Sequence, residues 1–352
     1  MSNSKQPIVL VLASDQGYFE GLWVTLISLM VFTNTKRHIK IYIMDGGIEK
    51  ASKKQLQKQL HKINNNFEIK WLIADIEKFK SFESMNNSYV CYSRILIPEI
   101  IVEPKVIWLD VDLLVLKDIE LLWEVDLHDS PIGACLEAPK TLFKNDVDNL
   151  KDFQIPEDSS YFNSGVLLMN NDALRKINFA SHCFDFLVNN KGHYKWWDQS
   201  AINVVCYNQI KELDRSFNQL NTLNKCVKND LELLKNGGYI YHFLQNPKPW
   251  QRYSTRLHAQ LMYRIAAWTG LKFEKLNSRQ NKLEKLKRKF PLIHKQYHAL
   301  LGYWNKTTNE VAEIAIKNNL KQKKDRKTNQ NQIDQVFEMY RDRFKKLNTH
   351  GS

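Results

Sequence analysis

Apolar side chains recur along this chain with two different periods. Residues 8–13 form a short β-rich run, and residues 19–32 after it carry apolar side chains at helical spacing. Residues 38–45 alternate and are rich in β-branched side chains, which predicts a second strand closed by Gly46 and Gly47. An exposed helix is predicted over 49–63 and a third strand over 67–74. Apolar runs at 106–116, 131–137 and 161–170, and a β-rich stretch that begins at Gly237, continue the pattern. Strands alternating with helices at this spacing predict an α/β domain around a mixed, mostly parallel sheet, with ligands held off the carboxyl ends of the strands. The dinucleotide fingerprint Gly-x-Gly-x-x-Gly is missing.

One run breaks its own pattern. Residues 106–116, bounded by Pro104 and by Lys117-Asp118, read as a buried strand, yet they carry Asp110 and Asp112. An ionised carboxylate buried without a partner costs several kcal/mol, so a cation or a full set of donors is required nearby. Side chains alternate along a strand, which puts Asp110 and Asp112 on one side and Val111 on the other. A divalent cation neutralises such a pair directly, and Asp-x-Asp at a strand end is a compact oxygen grip for Mn²⁺ or Mg²⁺. The competing reading, a solvated turn, suits most Asp-x-Asp tripeptides but not one flanked by Leu, Ile, Val and Trp on both sides.

Composition narrows the class. A chain of 352 residues with 43% hydrophobic side chains can bury a large core, and one large domain with an appendage is the expected layout. The five cysteines (Cys91, Cys135, Cys183, Cys206 and Cys226) are odd in number and lack Cys-x-x-Cys spacing. That predicts free thiols in a reducing compartment and argues against a disulfide framework or a zinc site. Lys5 followed by residues 8–13 imitates a secretion signal, but the run is short, stops at Ser14-Asp15 and has no small-residue cleavage pattern. The next apolar stretch, 21–32, is too short to span a bilayer. The formal charge of +13 is unevenly placed: residues 271–352 hold 20 Lys and Arg against 8 Asp and Glu, whereas residues 1–270 hold 31 against 30. Interleaved apolar residues in this tail suggest basic amphipathic helices, suited to an anionic membrane surface. A solvated extension is the competing reading. Nucleic acid is not expected, because no recognition motif or aromatic platform accompanies the charge.

Four other places carry candidate chemistry. Arg94 is a lone cation before an apolar run, and on residue type alone it reads equally as a solvated helix position. Asn163-Ser164-Gly165 reads as a polar turn opening a strand. Asp198 and Gln199 fall at what reads as a helix N-terminus, where Asp198 is a cap or a carboxylate for a hydroxyl-rich ligand. His242 ends a strand and Lys248 follows in a proline-pinned loop, so an imidazole for a metal and an ammonium for a phosphate lie close in sequence.

Together, Trp108-Leu109-Asp110-Val111-Asp112, the run from Phe162 to Asn170, Trp197-Asp198-Gln199 and the run from His242 to Trp250 resemble the retaining glycosyltransferases of family 8, which include bacterial lipooligosaccharide galactosyltransferases and, more distantly, glycogenin. The resemblance runs from about Ile8 to Trp250. It implies a nucleotide-sugar-binding domain of GT-A type, assigned to residues 1–270; the change of composition at Leu271 sets off 271–352 as a basic, largely helical extension. It further implies a UDP-hexose donor, galactose or glucose, and Mn²⁺ or Mg²⁺ held by Asp110, Asp112 and His242. Lys248 matches a phosphate-contacting lysine and Arg94 an arginine near the donor, while Ala13, Ser14 and Asp15 fall where the uracil is held. Val111, within the acid motif, belongs to the same donor set. Asp198 and Gln199 match the pair beside the anomeric carbon, and Asn163, Ser164 and Glu137 lie around donor sugar and acceptor.

Two departures stand out. The family's loop glycine is Gln245 here, where a side chain restricts φ or occupies room beside the diphosphate. Glu137 stands where relatives often carry Asp, one methylene shorter. The implied acceptor is a hydroxyl of a cell-surface glycan, such as a lipopolysaccharide or capsule precursor, and the implied location is the cytoplasmic side of the inner membrane. A protein-modifying or self-glycosylating transferase and a catalytically silent glycan-binding module remain alternatives.

Overall fold

The computed structural model describes residues 6–82, 88–137, 142–220 and 238–244, together with 248, 250, 338, 339, 341 and 342. Gln245, Cys226 and nearly all of the basic tail lie outside these residues. In chain order the elements are β1 (Ile8–Ser14), α1 (Phe19–Phe32), β2 (Ile39–Asp45), α2 (Lys50–His61), β3 (Phe67–Ile73), α3 (Ile97–Ile100), β4 (Lys105–Leu109), β5 (Leu113–Val115), α4 (Glu120–Trp123) and β6 (Ile132–Leu136). They continue with β7 (Phe162–Asn170), α5 (Asn171–Lys176), α6 (Phe179–Asn189), α7 (Trp197–Val205), β8 (Ile210–Glu212), β9 (Gln219–Leu220) and β10 (Ile240–His242).

A seven-stranded sheet runs in the order β3-β2-β1-β4-β7-β6-β8. Only β7 runs against its neighbours, so the expected mixed, mostly parallel α/β sheet is what the chain forms. From β1 the chain steps to one side through β2 and β3 and returns to the other side as β4. This reversal leaves a crevice at the carboxyl ends of β1 and β4, where parallel sheets bind ligands.

The apolar run at 106–116 is two strands rather than one. β4 stops at Leu109, and the chain crosses to a second sheet of order β5-β10-β9. Both strands are buried, so hydropathy continues without a break while hydrogen bonding changes partners. Asp110 and Asp112 occupy the crossing itself. Their shared orientation comes from this bend and not from strand alternation.

The second sheet is docked by α1, which is apolar nearly all round and buried on almost every face, as a helix between layers must be. Its two buried hydroxyls satisfy the open edge of β5: the Leu113 N–H donates to Thr25 Oγ1 at 3.3 Å, Thr25 Oγ1 donates to the Leu113 carbonyl at 3.0 Å, and the Val115 N–H donates to Ser28 Oγ at 3.0 Å. A Cβ on Gly21 would lie 2.3 Å from the Val111 carbonyl oxygen and 2.7 Å from the Trp250 ring. That glycine lets the acidic crossing and the Trp250 loop settle on the helix.

Asn163-Ser164-Gly165 lies inside β7 and does not form a turn before it. Pairing with β6 jumps from Ala134↔Leu167 to Cys135↔Asn163, and this bulge re-aims the polar triplet. The described cysteines are all free thiols. No helix among the described residues is long and apolar enough to cross a membrane.

Candidate active site

Asp110, Asp112 and His242 converge at the crevice. His242 Nε2 lies 3.2 Å from Asp112 Oδ1 and 3.6 Å from Asp110 Oδ2, and one ligand atom from each of the three lies within 4.8 Å of the others. Strand pairing delivers the imidazole: β10 runs antiparallel to β5 with His242 opposite Leu113, and the Phe243 N–H donates to the Asp112 carbonyl at 3.0 Å. The ring rests on Gly165, where a Cβ would lie 2.2 Å from His242 Cε1. Two carboxylates and an imidazole nitrogen, with a cradle that admits no side chain behind the ring, suit a hard or borderline divalent cation.

Charge is balanced tightly around this cluster. Lys248 Nζ sits 2.6 Å from Asp112 Oδ2 and 3.0 Å from the Phe243 carbonyl. Burial opposes ionisation of Asp112, but the charges and hydrogen bonds of Lys248 and His242 outweigh it and hold the carboxyl well below the usual carboxylate range. Burial likewise opposes a charged His242, and Asp112 and Asp110 overcome it, raising the imidazole pKa. For Asp110, burial and the like charge of Asp112 prevail over Arg94, and its pKa rises.

Arg94, on the short 3₁₀ segment Val90–Leu96, is the buried hub of the second wall. Its Nη2 lies 2.9 Å from Asp110 Oδ1 and its Nε 2.6 Å from Asp198 Oδ2. Nη1 donates to the Ser164 carbonyl and hydroxyl, and the guanidinium lies 4.7 Å from the centre of the Trp108 ring. The sequence left Arg94 open between solvent and site; the structure buries it with two carboxylates. Asp198 lies in the first turn of α7 but does not cap it, since the N-cap position is Trp196. Trp197 enters the helix at φ 41°, the left-handed region, so a strained residue directly precedes the acid.

Beyond Arg94 lies an amide network. Gln199 accepts the Ser164 N–H at 2.9 Å through Oε1 and donates to Glu137 Oε2 at 3.1 Å. Asn163 donates to the same Glu137 oxygen at 2.7 Å. Asn203, one helical turn after Gln199, clamps both backbone groups of Phe162, so one face of α7 is fixed to β7.

Ala13, Ser14 and Asp15 lie at the end of β1 on the opposite wall. Asp15 Oδ1 accepts the Tyr18 N–H at 3.1 Å, and Oδ2 accepts the Ser88 hydroxyl at 2.7 Å. With Tyr18, Arg94, Trp108, Asp110, Val111, Asp112 and Lys248 they line a cleft of about 530 Å³ that is open to solvent. Tyr18, Val90 and Cys91 on this wall, and Asn218 behind His242, were not singled out from the sequence. Tyr18 follows a strand end by four residues, a position that could have flagged it. Asn218 carries no motif.

An α/β domain with paired acids at its strand reversal is the architecture of GT-A glycosyltransferases. Solved structures of that kind superpose on it: galactosyltransferase LgtC, in complex with donor and acceptor sugar analogues, has a TM-score of 0.61 at 22% identity, covering 78% of this chain and 100% of LgtC. GlyE of Streptococcus pneumoniae TIGR4 has a TM-score of 0.55 at 21% identity, covering 74% of this chain and 60% of GlyE. At these identities the likeness speaks to the fold.

The chain belongs to glycosyl transferase family 8, whose model matches residues 9–254. General stress protein A of Bacillus subtilis strain 168 is 28% identical over 255 residues, 68% of this chain and 86% of that protein. Glycosyltransferase GlyA of S. pneumoniae is 28% identical over 269 residues, and the chain spans only 35% of GlyA's length.

Proposed function

We propose that the protein is a metal-dependent, retaining transferase that moves a hexose, galactose or glucose, from a UDP-sugar to a hydroxyl of a glycan acceptor. Residues 1–270 form the catalytic domain in this reading. The observation that carries it is the meeting of Asp110, Asp112 and His242, with Lys248 beside them, in a cleft at the strand reversal.

Asp110, Asp112 and His242 are the residues that would hold Mn²⁺ or Mg²⁺, which would supply positive charge against the diphosphate of the leaving group. Lys248 adds a second positive charge to the same wall for the departing UDP. Arg94 keeps Asp110 and Asp198 oriented and shapes the sugar side through Ser164. Ala13, Ser14, Asp15 and Val111 line the part of the cleft that suits the nucleoside. Asp198 and Gln199 face the sugar's reacting centre, and Asn163, Ser164 and Glu137 position donor sugar and acceptor; orientation of this kind supplies much of the rate. The acceptor we favour is a glycan or glycolipid precursor at the membrane surface.

The test is release of UDP from a panel of UDP-hexoses with and without Mn²⁺. Hydrolysis of one UDP-hexose that EDTA abolishes, and that Asp112→Asn lowers by at least 100-fold with the circular dichroism spectrum unchanged, is the expected outcome. Undiminished turnover in excess EDTA or by the variant rejects it.

A further inference from the structure

An imidazole can offer Nε2 to a cation only when its proton sits on Nδ1. In this protein the proton's place follows from the direction of a buried hydrogen-bond chain. The carboxylate of Glu137 can only accept, so Asn163 must present its amide nitrogen to it, at 2.7 Å from Oε2. Asn163 Oδ1 therefore faces the other way, where it accepts the Gly165 N–H at 2.8 Å and Asn218 Nδ2 at 2.7 Å. The nitrogen end of the Asn218 amide thus faces Asn163, and the end turned to His242 Nδ1, 3.2 Å away, is the acceptor Oδ1. Nδ1 must be the donor, so when the ring is neutral its lone pair is on Nε2, the nitrogen that faces Asp110 and Asp112.

We propose that Asn218 is a positioning residue that fixes the His242 tautomer, with Glu137 as the acidic terminus that gives the relay its direction. This inference rests on reading Asp110, Asp112 and His242 as a cation site. Asn163, Asn218 and His242 are 3%, 0% and 2% exposed, so water does not compete for these bonds. Local structure holds Asn218 in place: Asp214 caps the turn before it by accepting the Ser216 N–H at 2.9 Å, and β9, which begins at the next residue, pairs in parallel with β10. The same Glu137 oxygen accepts from Gln199, which turns Gln199 Oε1 toward Ser164. One carboxylate thus orients both the cation-side and the sugar-side amides.

Two measurements test the relay. In histidine-labelled protein free of metal, at alkaline pH where the ring is neutral, long-range ¹H–¹⁵N spectra should show His242 as the Nδ1–H tautomer, with the signal assigned by its loss in His242→Gln. Mn²⁺ affinity, read by electron paramagnetic resonance, should fall about 10- to 100-fold in Asn218→Leu, which has similar volume and no acceptor. Asn218→Asp, which keeps an acceptor for Nδ1–H, should retain the tautomer and bind Mn²⁺ within a few-fold of wild type. An Nε2–H tautomer in the wild type, or undiminished affinity in Asn218→Leu, overturns the proposal. If Asn218→Leu fails to fold, the wild-type spectrum still decides. Wild-type protein that shows the Nδ1–H tautomer but binds no Mn²⁺ would keep the relay and remove the cation reading.

Discussion

Asp198 is 3% exposed and pairs with Arg94. Burial, partly offset by Arg94, pushes its carboxyl up from the ordinary 3.8 to about 6. Between those two values the folded chain holds a proton that the unfolded chain releases, so this group's contribution to stability is largest below pH 4 and declines as pH rises to about 6. Asp198→Asn removes that term. Wild-type stability, measured by urea unfolding and expressed relative to the variant, should therefore drop by about 2 kcal/mol from pH 4 to pH 7 and be flat above it. A difference that is constant with pH, or that rises, refutes this. Arg94 invites a second substitution. Lysine there keeps one positive charge but loses the planar fork that reaches Asp110, Asp198 and Ser164 together. Arg94→Lys should cost about 3 kcal/mol in the same unfolding assay, near the lower end for breaking a buried pair. At this scale the sequence exposed what violated its own hydropathy. Asp110 and Asp112 stood out because carboxylates rarely sit among Leu, Val and Trp, whereas Arg94 sat at an ordinary-looking position and Asn218 in an unremarkable polar stretch. Their roles depend on partners 70 and 24 residues away, which periodicity does not register.

The elements were legible where a segment is apolar throughout or meets a core on one side only. β1, α1, β2, α2 and β3 fall within a residue or two of their predicted bounds: β1 and α1 run apolar, β2 and β3 alternate, and α2 buries Leu56 and Leu60 one helical turn apart. The crossing between β4 and β5 was not legible. Both flanking strands are buried, and only hydrogen-bond partners, which hydropathy does not report, distinguish one sheet from the other. The β7 bulge was hidden for a similar reason, since Asn163-Ser164-Gly165 has the composition of a turn and becomes a strand only through pairing. Gly165 offers a test of how the two sheets meet. A methyl group there would overlap the His242 ring, whereas one on Gly133 would meet only the flexible ends of Leu127 and Leu213. Both alanine variants should lose about 1–3 kcal/mol of stability from overpacking. Only Gly165→Ala should also weaken Mn²⁺ binding, because its strain falls on the imidazole. Equal Mn²⁺ affinity in the two variants would show that the ring relaxes without leaving its carboxylates.

Across the whole molecule the charge is segregated. Residues 1–270 are nearly balanced, with 31 basic against 30 acidic side chains, and the excess lies in 271–352, with 20 against 8. A transferase acting on a glycolipid precursor gains from residence at the surface where its acceptor lies, and the near-neutral domain has little electrostatic means to stay there. The tail has the means: each well-placed Lys or Arg contributes about 1 kcal/mol beside anionic lipid, an attraction that fades beyond roughly 8 Å at physiological salt. If the tail is the anchor, the full chain should float with vesicles rich in phosphatidylglycerol at low ionic strength and should leave them progressively as salt is raised. Deletion of 271–352 should abolish flotation while leaving UDP-hexose hydrolysis intact, since the described residues that line the cleft run from Ala13 to Lys248. Flotation that survives the deletion would move the anchor into the catalytic domain, and no flotation of the full chain at low salt would leave the tail's charge without a lipid partner.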